Sequence, residues 1–418
     1  METDGQHGPL TGIRVLELGS YIAAPTAGRL LADFGADVIK VERPITGDEL
    51  RGWRLHAGTT SMLYRTINRN KRSVVADLRE ESGRGLILDL LQHVDVVVEN
   101  FRPGTLERWG LSPERMSEVN PELIFVRISA FGQTGPQASQ PGFGAIAEAV
   151  GGLRELTGDA DRTPVRMGIS IADSIAGLYA AFGAVMALYE LVTRKNTGLP
   201  TLPLADRTID VALSESVFSM MESLVPDYEA FGVSRERTGG RIEGIAPTNA
   251  YRCLGGRSVV IAGNGDGIYK RFMEVIDRPD LGSRADLSNN QLRWAKREEL
   301  DSAINSWTEE RSVDEVLATL AAAGVPAGAI YAAPDIAADP QFLARGMIQR
   351  RDVSTGDELL HDVGFPGIVP QLGEQPREIR TLGPDLGEHT AEVLSGLLGR
   401  SPDEIDDFLA NTNGATRV

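Results

Sequence analysis

The sequence predicts an α/β protein: a Rossmann-like, doubly wound parallel sheet in a large domain, plus a smaller α/β domain. Three observations point there. In the first third, short β-branched runs alternate with amphipathic stretches of about ten residues, the rhythm of βαβ units. The strand candidates are apolar throughout, as in a parallel sheet covered on both faces. The chain, at 418 residues and 42% hydrophobic, also exceeds one ordinary small domain.

The pattern places the first strand over Ile13–Leu18, a helix over Thr26–Phe34, and strands over Ala36–Val41 and Ser73–Asp77. A helix over Ser82–Gln92 follows, then strands over Asp95–Val98 and Leu123–Ile128. The turn after the first strand, Gly19-Ser20-Tyr21-Ile22-Ala23-Ala24-Pro25, lacks the spaced glycines of a dinucleotide fingerprint, which argues against nicotinamide or flavin chemistry. It still lies at the carboxyl end of a strand, where open α/β sheets place ligands, so another nucleotide-bearing group fits there.

From Ile175 to Leu188 the residues are apolar or small on every face, which reads as a helix buried all round. Asp173 stands at its head. Ser170-x-x-Asp173 fits a capping box, with the carboxylate satisfying orphan amides. A helix start also keeps a half-buried carboxylate ionised and available as a nucleophile, so both readings stand on the local pattern.

Lys195–Arg207 reads as an exposed loop before a short strand, Thr208–Leu213. A boundary falls between Phe231 and Arg241. The large domain is expected over 1–230, completed by 335–418, and the small domain over 231–334. Within the latter the pattern gives strand Ser258–Ala262, helices Ile268–Ile276, Glu298–Ser306 and Val313–Ala323, and strand Ala327–Tyr331. The tail mixes helices with Pro- and Gly-rich extended pieces.

A net charge of −17 argues against a nucleic-acid binder or a protein drawn to anionic membranes. The single Cys253 makes no intrachain disulfide, and the five histidines show no metal-ligand spacing. No metal and no permanently bound cofactor are expected. The start of the chain, Met1–Gln6, is short and polar, and no run of about eighteen apolar residues stands out, so a cytoplasmic protein without a membrane span is expected.

Six pieces then combine: Leu10-Thr11-Gly12-Ile13-Arg14-Val15-Leu16-Glu17-Leu18; Leu31-Ala32-Asp33-Phe34-Gly35-Ala36-Asp37-Val38-Ile39-Lys40-Val41-Glu42-Arg43; Asn70-Lys71-Arg72-Ser73; Val98-Glu99-Asn100-Phe101-Arg102-Pro103-Gly104; Gly132-Gln133-Thr134-Gly135-Pro136; and Ala323-Gly324-Val325-Pro326. In this order, from about Gly8 to about Val393, the chain resembles the family III CoA-transferases, the group of the carnitine and bile-acid CoA-transferases. Asp173 falls where that family carries its catalytic aspartate.

The resemblance implies that the aspartate attacks the thioester of an acyl-CoA, passing through an aspartyl mixed anhydride and an aspartyl-CoA thioester, before CoA returns to an acceptor acid. It implies CoA contacts at Arg43, Arg79, Asn100, Phe101 and Arg108. Tyr21, Ile22 and Ala23 should approach the pantetheine arm and thioester, and Phe131 stands where the family often has an aromatic. It further implies a large domain built from both ends of the chain, a small one from its middle, and two chains interlocked as a homodimer. The partners are then acyl-CoA, with succinyl-CoA expected as donor, and a small carboxylic acid. The stretches Gly244-Ile245-Ala246-Pro247-Thr248-Asn249 and Ala262-Gly263-Asn264-Gly265-Asp266 look like those of members that handle short dicarboxylates, and Arg166 is a candidate partner for a second carboxylate.

Departures matter too. Ile22 replaces the glutamine of the formate/oxalate type, and in Gly239–Pro247 only Gly244 plainly matches the glycine run of the active-site loop, which argues against formyl-CoA:oxalate transfer. Two alternatives remain at this level. One is an α-methylacyl-CoA racemase-like enzyme, although Phe143 in Pro141-Gly142-Phe143-Gly144 replaces a proton carrier. The other is a CoA-transferase subunit that needs an unlike partner.

Overall fold

Six apolar strands form one parallel sheet in the computed structural model, which describes residues 8–356 and 358–414. They are β1 (Arg14–Glu17), β2 (Asp37–Glu42), β3 (Lys71–Val75), β4 (Val96–Glu99), β5 (Ile124–Ser129) and β6 (Thr208–Ala212). Every neighbouring pair is parallel, in the order β3-β2-β1-β4-β5-β6. Each strand lies within two residues of its sequence expectation. The chain leaves β1 toward one edge and β4 continues toward the other, so a crevice opens at their carboxyl ends.

The chain divides into two compact units. One holds residues 8–153, 167–222 and 340–414; the other holds 154–166 and 223–339. In the first, Leu16, Ile39, Val74, Val97 and Phe125 of the strands meet Leu86, Ile87, Leu90 and Leu91 of the Glu81–Leu91 helix. Val393, Leu394, Ile405 and Phe408 join the same core, so the C-terminal helices complete what the N-terminal sheet begins. A long antiparallel hairpin, Ile348–Ser354 with Leu359–Pro366, also belongs to this unit.

Two helices of this unit bear on the site, α1 (Ala23–Asp33) and the 27-residue α4 (Ile171–Thr197); between them in the chain run α2 (Glu81–Leu91) and the short α3 (Gly144–Val150). Gly177 lets α4 approach α1 closely: a Cβ there would lie 2.7 Å from Ala23 O and from Thr26 Cβ. The expectation that this helix is buried all round is corrected. Ala176, Ala180 and Ala184 pack inward, while Leu178, Phe182, Met186 and Tyr189 are exposed on the opposite face. The small residues recur at helical spacing on one face only, a segregation that apolar character alone conceals. The expected absence of a span-length apolar run also needs revision: among the described residues one helix, α4, is long and apolar enough to cross a membrane by length and composition. It starts at Ile171, directly after Ser170, and runs through Lys195 to Thr197, into the segment read as a loop, where Gly198 ends it in the left-handed conformation.

The second unit is built on an antiparallel sheet of β7 (Thr248–Arg252), β8 (Ser258–Ala262) and β9 (Ala327–Ala329), with β8 central. Tyr251, Phe272, Met273, Ile304 and Leu320 make its core. The helix Val313–Ala322 carries a complete capping box between Ser312 and Glu315.

Candidate active site

The site begins with three charged residues placed inside the apolar sheet. Glu17 ends β1, fully buried, and accepts from Lys40 of β2 at 2.9 Å and Lys71 of β3 at 2.6 Å. Charges so deep persist only when paired and fully hydrogen-bonded. Lys71 also donates to Pro25 O (2.8 Å) and Asn68 Oδ1 (2.9 Å). Lys40 donates to Gly19 O (2.8 Å) and meets Asp48 Oδ2 at 2.8 Å, a charge contact rather than an aligned hydrogen bond. Burial pushes the Lys40 ammonium down, but Asp48, Glu17 and Glu42 outweigh it and hold it above its ordinary range.

These charges grip the turn after β1. Asp48 Oδ1 accepts from Tyr21 N at 3.0 Å and Leu50 N at 2.9 Å. Asn100, just past β4, clasps Ser20 from the other side, accepting its N–H at 2.9 Å and donating to its carbonyl at 2.8 Å. Tyr21 has φ +64°, a left-handed conformation that costs a bulky residue about 1–3 kcal/mol.

At the carboxyl ends of β1, β2 and β4 lies a cavity of about 280 Å³. Leu18, Val41, Ala76 and Leu78 give it an apolar floor, and Phe101, edge-on to Trp109 at 5.2 Å, gives it an aromatic wall. Arg43 and Arg79 stand at its rim, partly exposed. Arg43 pairs with Glu49 at 2.6 Å and Arg79 with Asp77 at 2.6 Å. Exposed pairs of this kind are worth little, so both guanidiniums are free to exchange their carboxylates for phosphates. Beneath Phe101, Glu99 accepts from Phe101 N (2.7 Å) and Arg127 Nε (2.8 Å); burial, only partly offset by Arg127, pushes its carboxyl up to about 7.

Asp173 occupies the first turn of α4, half-buried. The Ser170 side chain makes no cap, so the expected capping box does not form there; the Ser170 carbonyl instead accepts from the Ser174 amide and hydroxyl. The carboxylate lies against Gly144, at the start of α3. Just before it in the chain, the Phe143 ring stands edge-on to Tyr21 at 5.9 Å, and Tyr21 is edge-on to Trp53 at 5.6 Å. Tyr21, which lines the cavity, thus touches the residue that precedes Gly144, the glycine against which Asp173 rests.

Of the residues singled out by sequence, the cavity lining includes Tyr21, Arg43, Arg79, Asn100 and Phe101. Ile22 and Ala23 turn their side chains into the interior, Ile22 against Leu50 and Tyr64. Arg108 is exposed and donates to Thr105 Oγ1 at 2.9 Å, away from the lining. Phe131 packs near Gly142, where a Cβ would lie 3.2 Å from its ring. Gly244 and Arg166 belong to the second unit; Gly244 has φ +77° and its carbonyl accepts from Asn290 at 2.7 Å. Sequence reasoning passed over Glu49, Asp77, Trp109, Gly144 and the Glu17–Lys40–Asp48 set. The signal for the last was present, since a glutamate and a lysine interrupt strands that are otherwise apolar. Among the described residues no cluster of His, Cys, Asp or Glu is arranged to hold a metal ion.

Comparisons with known proteins bear on this geometry. The family model of CoA-transferase family III matches residues 10–390. The succinyl-CoA–D-citramalate CoA-transferase of Chloroflexus aurantiacus is 42% identical over 399 residues, 95% of this chain and 96% of that protein. The succinyl-CoA–L-malate CoA-transferase beta subunit of the same organism is 38% identical over 404 residues, covering 96% of each. A CAIB/BAIF family protein from Brucella suis superposes with a TM-score of 0.81 at 33% identity, over 94% of this chain and 100% of that one. A sheet-end cavity rimmed by arginines, a carboxylate at the head of a long helix and a match across nearly the whole sequence agree: the chain belongs to CoA-transferase family III.

Proposed function

We propose that this chain transfers CoA from succinyl-CoA to a short dicarboxylic acid, with Asp173 as the covalent carrier. The observation that carries the reading is the Asp173 carboxylate, set against Gly144 next to Phe143, whose ring touches Tyr21 of the arginine-rimmed sheet-end cavity. Similarity to transferases that use succinyl-CoA supports the donor, and the citramalate and malate named for those relatives support the acceptor class.

In this reading Arg43 and Arg79 take the CoA phosphates, Asn100 and Phe101 line the nucleotide end, and Tyr21, Ile22 and Ala23 border the pantetheine and thioester. An Asp173 oxygen attacks the thioester carbonyl carbon, the C–S bond breaks, and CoA thiolate leaves a succinyl–aspartyl anhydride. The thiolate attacks the aspartyl carbonyl, releasing succinate and forming aspartyl-CoA thioester. The acceptor carboxylate then displaces CoA thiolate to form a second anhydride, and the thiolate attacks the acceptor's carbonyl carbon, freeing Asp173. Each step exchanges one activated acyl bond for another, and each activated bond must be kept from water. Phe131 and Arg108, outside the cavity lining, keep only the CoA contacts that the resemblance gives them, and Gly244 keeps the active-site-loop role that the resemblance gives it.

The working form is an interlocked homodimer in the cytoplasm; the exposed apolar face of α4 supports association with a second copy. A requirement for an unlike partner is the second reading, because one relative is itself named as a beta subunit. Racemase chemistry fits poorly, since Phe143 carries no proton.

The test is transfer followed by mass spectrometry: succinyl-CoA with citramalate, malate, mesaconate, itaconate and monocarboxylates, wild type beside Asp173→Ala. New acyl-CoA from the wild type alone supports the proposal and names the acceptor. Transfer by the variant removes Asp173 from its role, and no transfer by the purified homodimer favours the unlike-partner reading.

A further inference from the structure

We propose that the buried Lys40–Asp48 pair is a positioning device, which holds the turn Gly19–Ile22 in the strained form that presents Tyr21 between the nucleotide cavity and Asp173. Lys40 and Asp48 touch no reacting atom; they act through the turn, and the inference rests on the transferase reading above.

The geometry is specific. Lys40 Nζ holds the Gly19 carbonyl at 2.8 Å, and Asp48 Oδ1 holds the Tyr21 amide at 3.0 Å, so one ion pair pins both sides of Ser20. Lys40 is itself anchored by Glu17 at 2.9 Å, and Glu17 is anchored by Lys71, which reaches on to the Pro25 carbonyl in the first turn of α1. Both ends of the turn are therefore tied to one buried set of charges. The backbone packs closely at Gly19, where a Cβ would lie 2.4 Å from Ala24 Cβ and 2.7 Å from Asn100 Oδ1. Tyr21, at φ +64°, would relax without such restraint, and its ring would leave the edge-on contact with Phe143. A sheet core needs no buried lysine for stability, and a well-packed apolar set would serve it as well. What an apolar set cannot do is hold a carbonyl and an amide of a strained turn at fixed points.

The experiment compares Asp48→Asn and Asp48→Glu with Asp33→Asn. Asparagine must turn its NH2 either toward Lys40 or toward the Tyr21 and Leu50 amides, so one of the two contacts fails. Glutamate keeps the charge that Lys40 needs and displaces the oxygens, which keeps the test open if the asparagine variant does not fold. Asp33 is an equally buried carboxylate, bound to Arg69 and Asn70 at the far end of α1, and serves as control for loss of a buried pair. Two readouts are taken on folded protein: kcat at saturating succinyl-CoA, and hydrogen exchange of the peptide covering Gly19–Ala23 by mass spectrometry. A folded Asp48 variant should lose at least tenfold in kcat and exchange that peptide at least tenfold faster, while Asp33→Asn changes neither to that extent. A smaller loss of kcat, unaltered exchange of the turn, or an equal effect in Asp33→Asn overturns the proposal. Exchange reads the clamp whether or not transfer is detected, so a wild type that transfers nothing refutes transfer by this chain without an unlike partner, while a wild type that transfers beside unaffected Asp48 variants refutes the clamp alone.

Discussion

Gly144 and Asp173 share a space that a side chain on the first would close: a Cβ on Gly144 would run into Asp173 Oδ2. The Asp173 carboxylate thus rests against bare backbone at the start of α3. Gly144→Ala should displace it while sparing the core, since Gly144 has φ in the ordinary helical region and alanine favours helix. A displacement of this order costs about a hundredfold in rate. The expected outcome is a kcat lower by that factor with a melting temperature within a few degrees of wild type; undiminished kcat would show that the contact has no bearing on the chemistry.

Arg43 and Arg79 should contribute to binding and not to the chemical step. Both stand at the cavity rim, each paired with a carboxylate in the free protein. Arg79→Ala should raise KM for succinyl-CoA by about tenfold, the equivalent of about 1.4 kcal/mol for one charge-assisted contact, with kcat nearly unchanged. Arg43→Ala should behave alike, and both effects should shrink as salt rises. Initial rates at two ionic strengths check this, and a fall in kcat with constant KM would contradict it.

The sheet was legible because a parallel sheet buried on both faces writes itself as short runs dominated by apolar, β-branched residues, and β1 to β6 carry such runs despite a few charged positions. The site was legible only in part. Asp173 announced itself as a lone carboxylate before an apolar helix, whereas the clamp on Tyr21 joins Glu17, Lys40 and Asp48 across three segments: the charges inside β1 and β2 mark two of its members, but no local pattern says that they meet Asp48. β7 and the Ile348–Pro366 hairpin escaped for another reason. Thr248–Arg252 and much of the hairpin are exposed or half-exposed, so their residues lack the apolar rhythm that marks a core strand. The one-sided burial of α4 was hidden because its exposed face is apolar too.

That exposed face should be covered by a second copy. Leu178, Phe182, Met186 and Tyr189 lie on one side of α4 at helical spacing, each more than half exposed, and contiguous exposed apolar side chains of this kind mark interaction surfaces. Phe182→Glu together with Met186→Glu should therefore convert the dimer into monomer or unfolded chain, visible as a halved mass or loss of soluble protein in light scattering. A soluble dimer retained at low micromolar concentration would place the interface elsewhere.

Glu99 gives the protein a dependence on pH whose sign follows from its surroundings. Burial raises its carboxyl to about 7 from an ordinary value of 4.5, so the folded chain binds this proton more tightly than the unfolded chain. Its contribution is complete below about 4.5, declines as pH rises, and is gone above about 7. The full swing is on the order of 3 kcal/mol. Glu99→Gln cannot titrate; it also alters the bonds to Arg127 and Phe101, but that cost is the same at every pH to first order. The difference in unfolding free energy, variant minus wild type, should accordingly rise between pH 5 and pH 8 by up to this amount in urea titrations. A difference that stays constant across that window would mean that Glu99 is ionised throughout, with Arg127 holding it more firmly than burial opposes it.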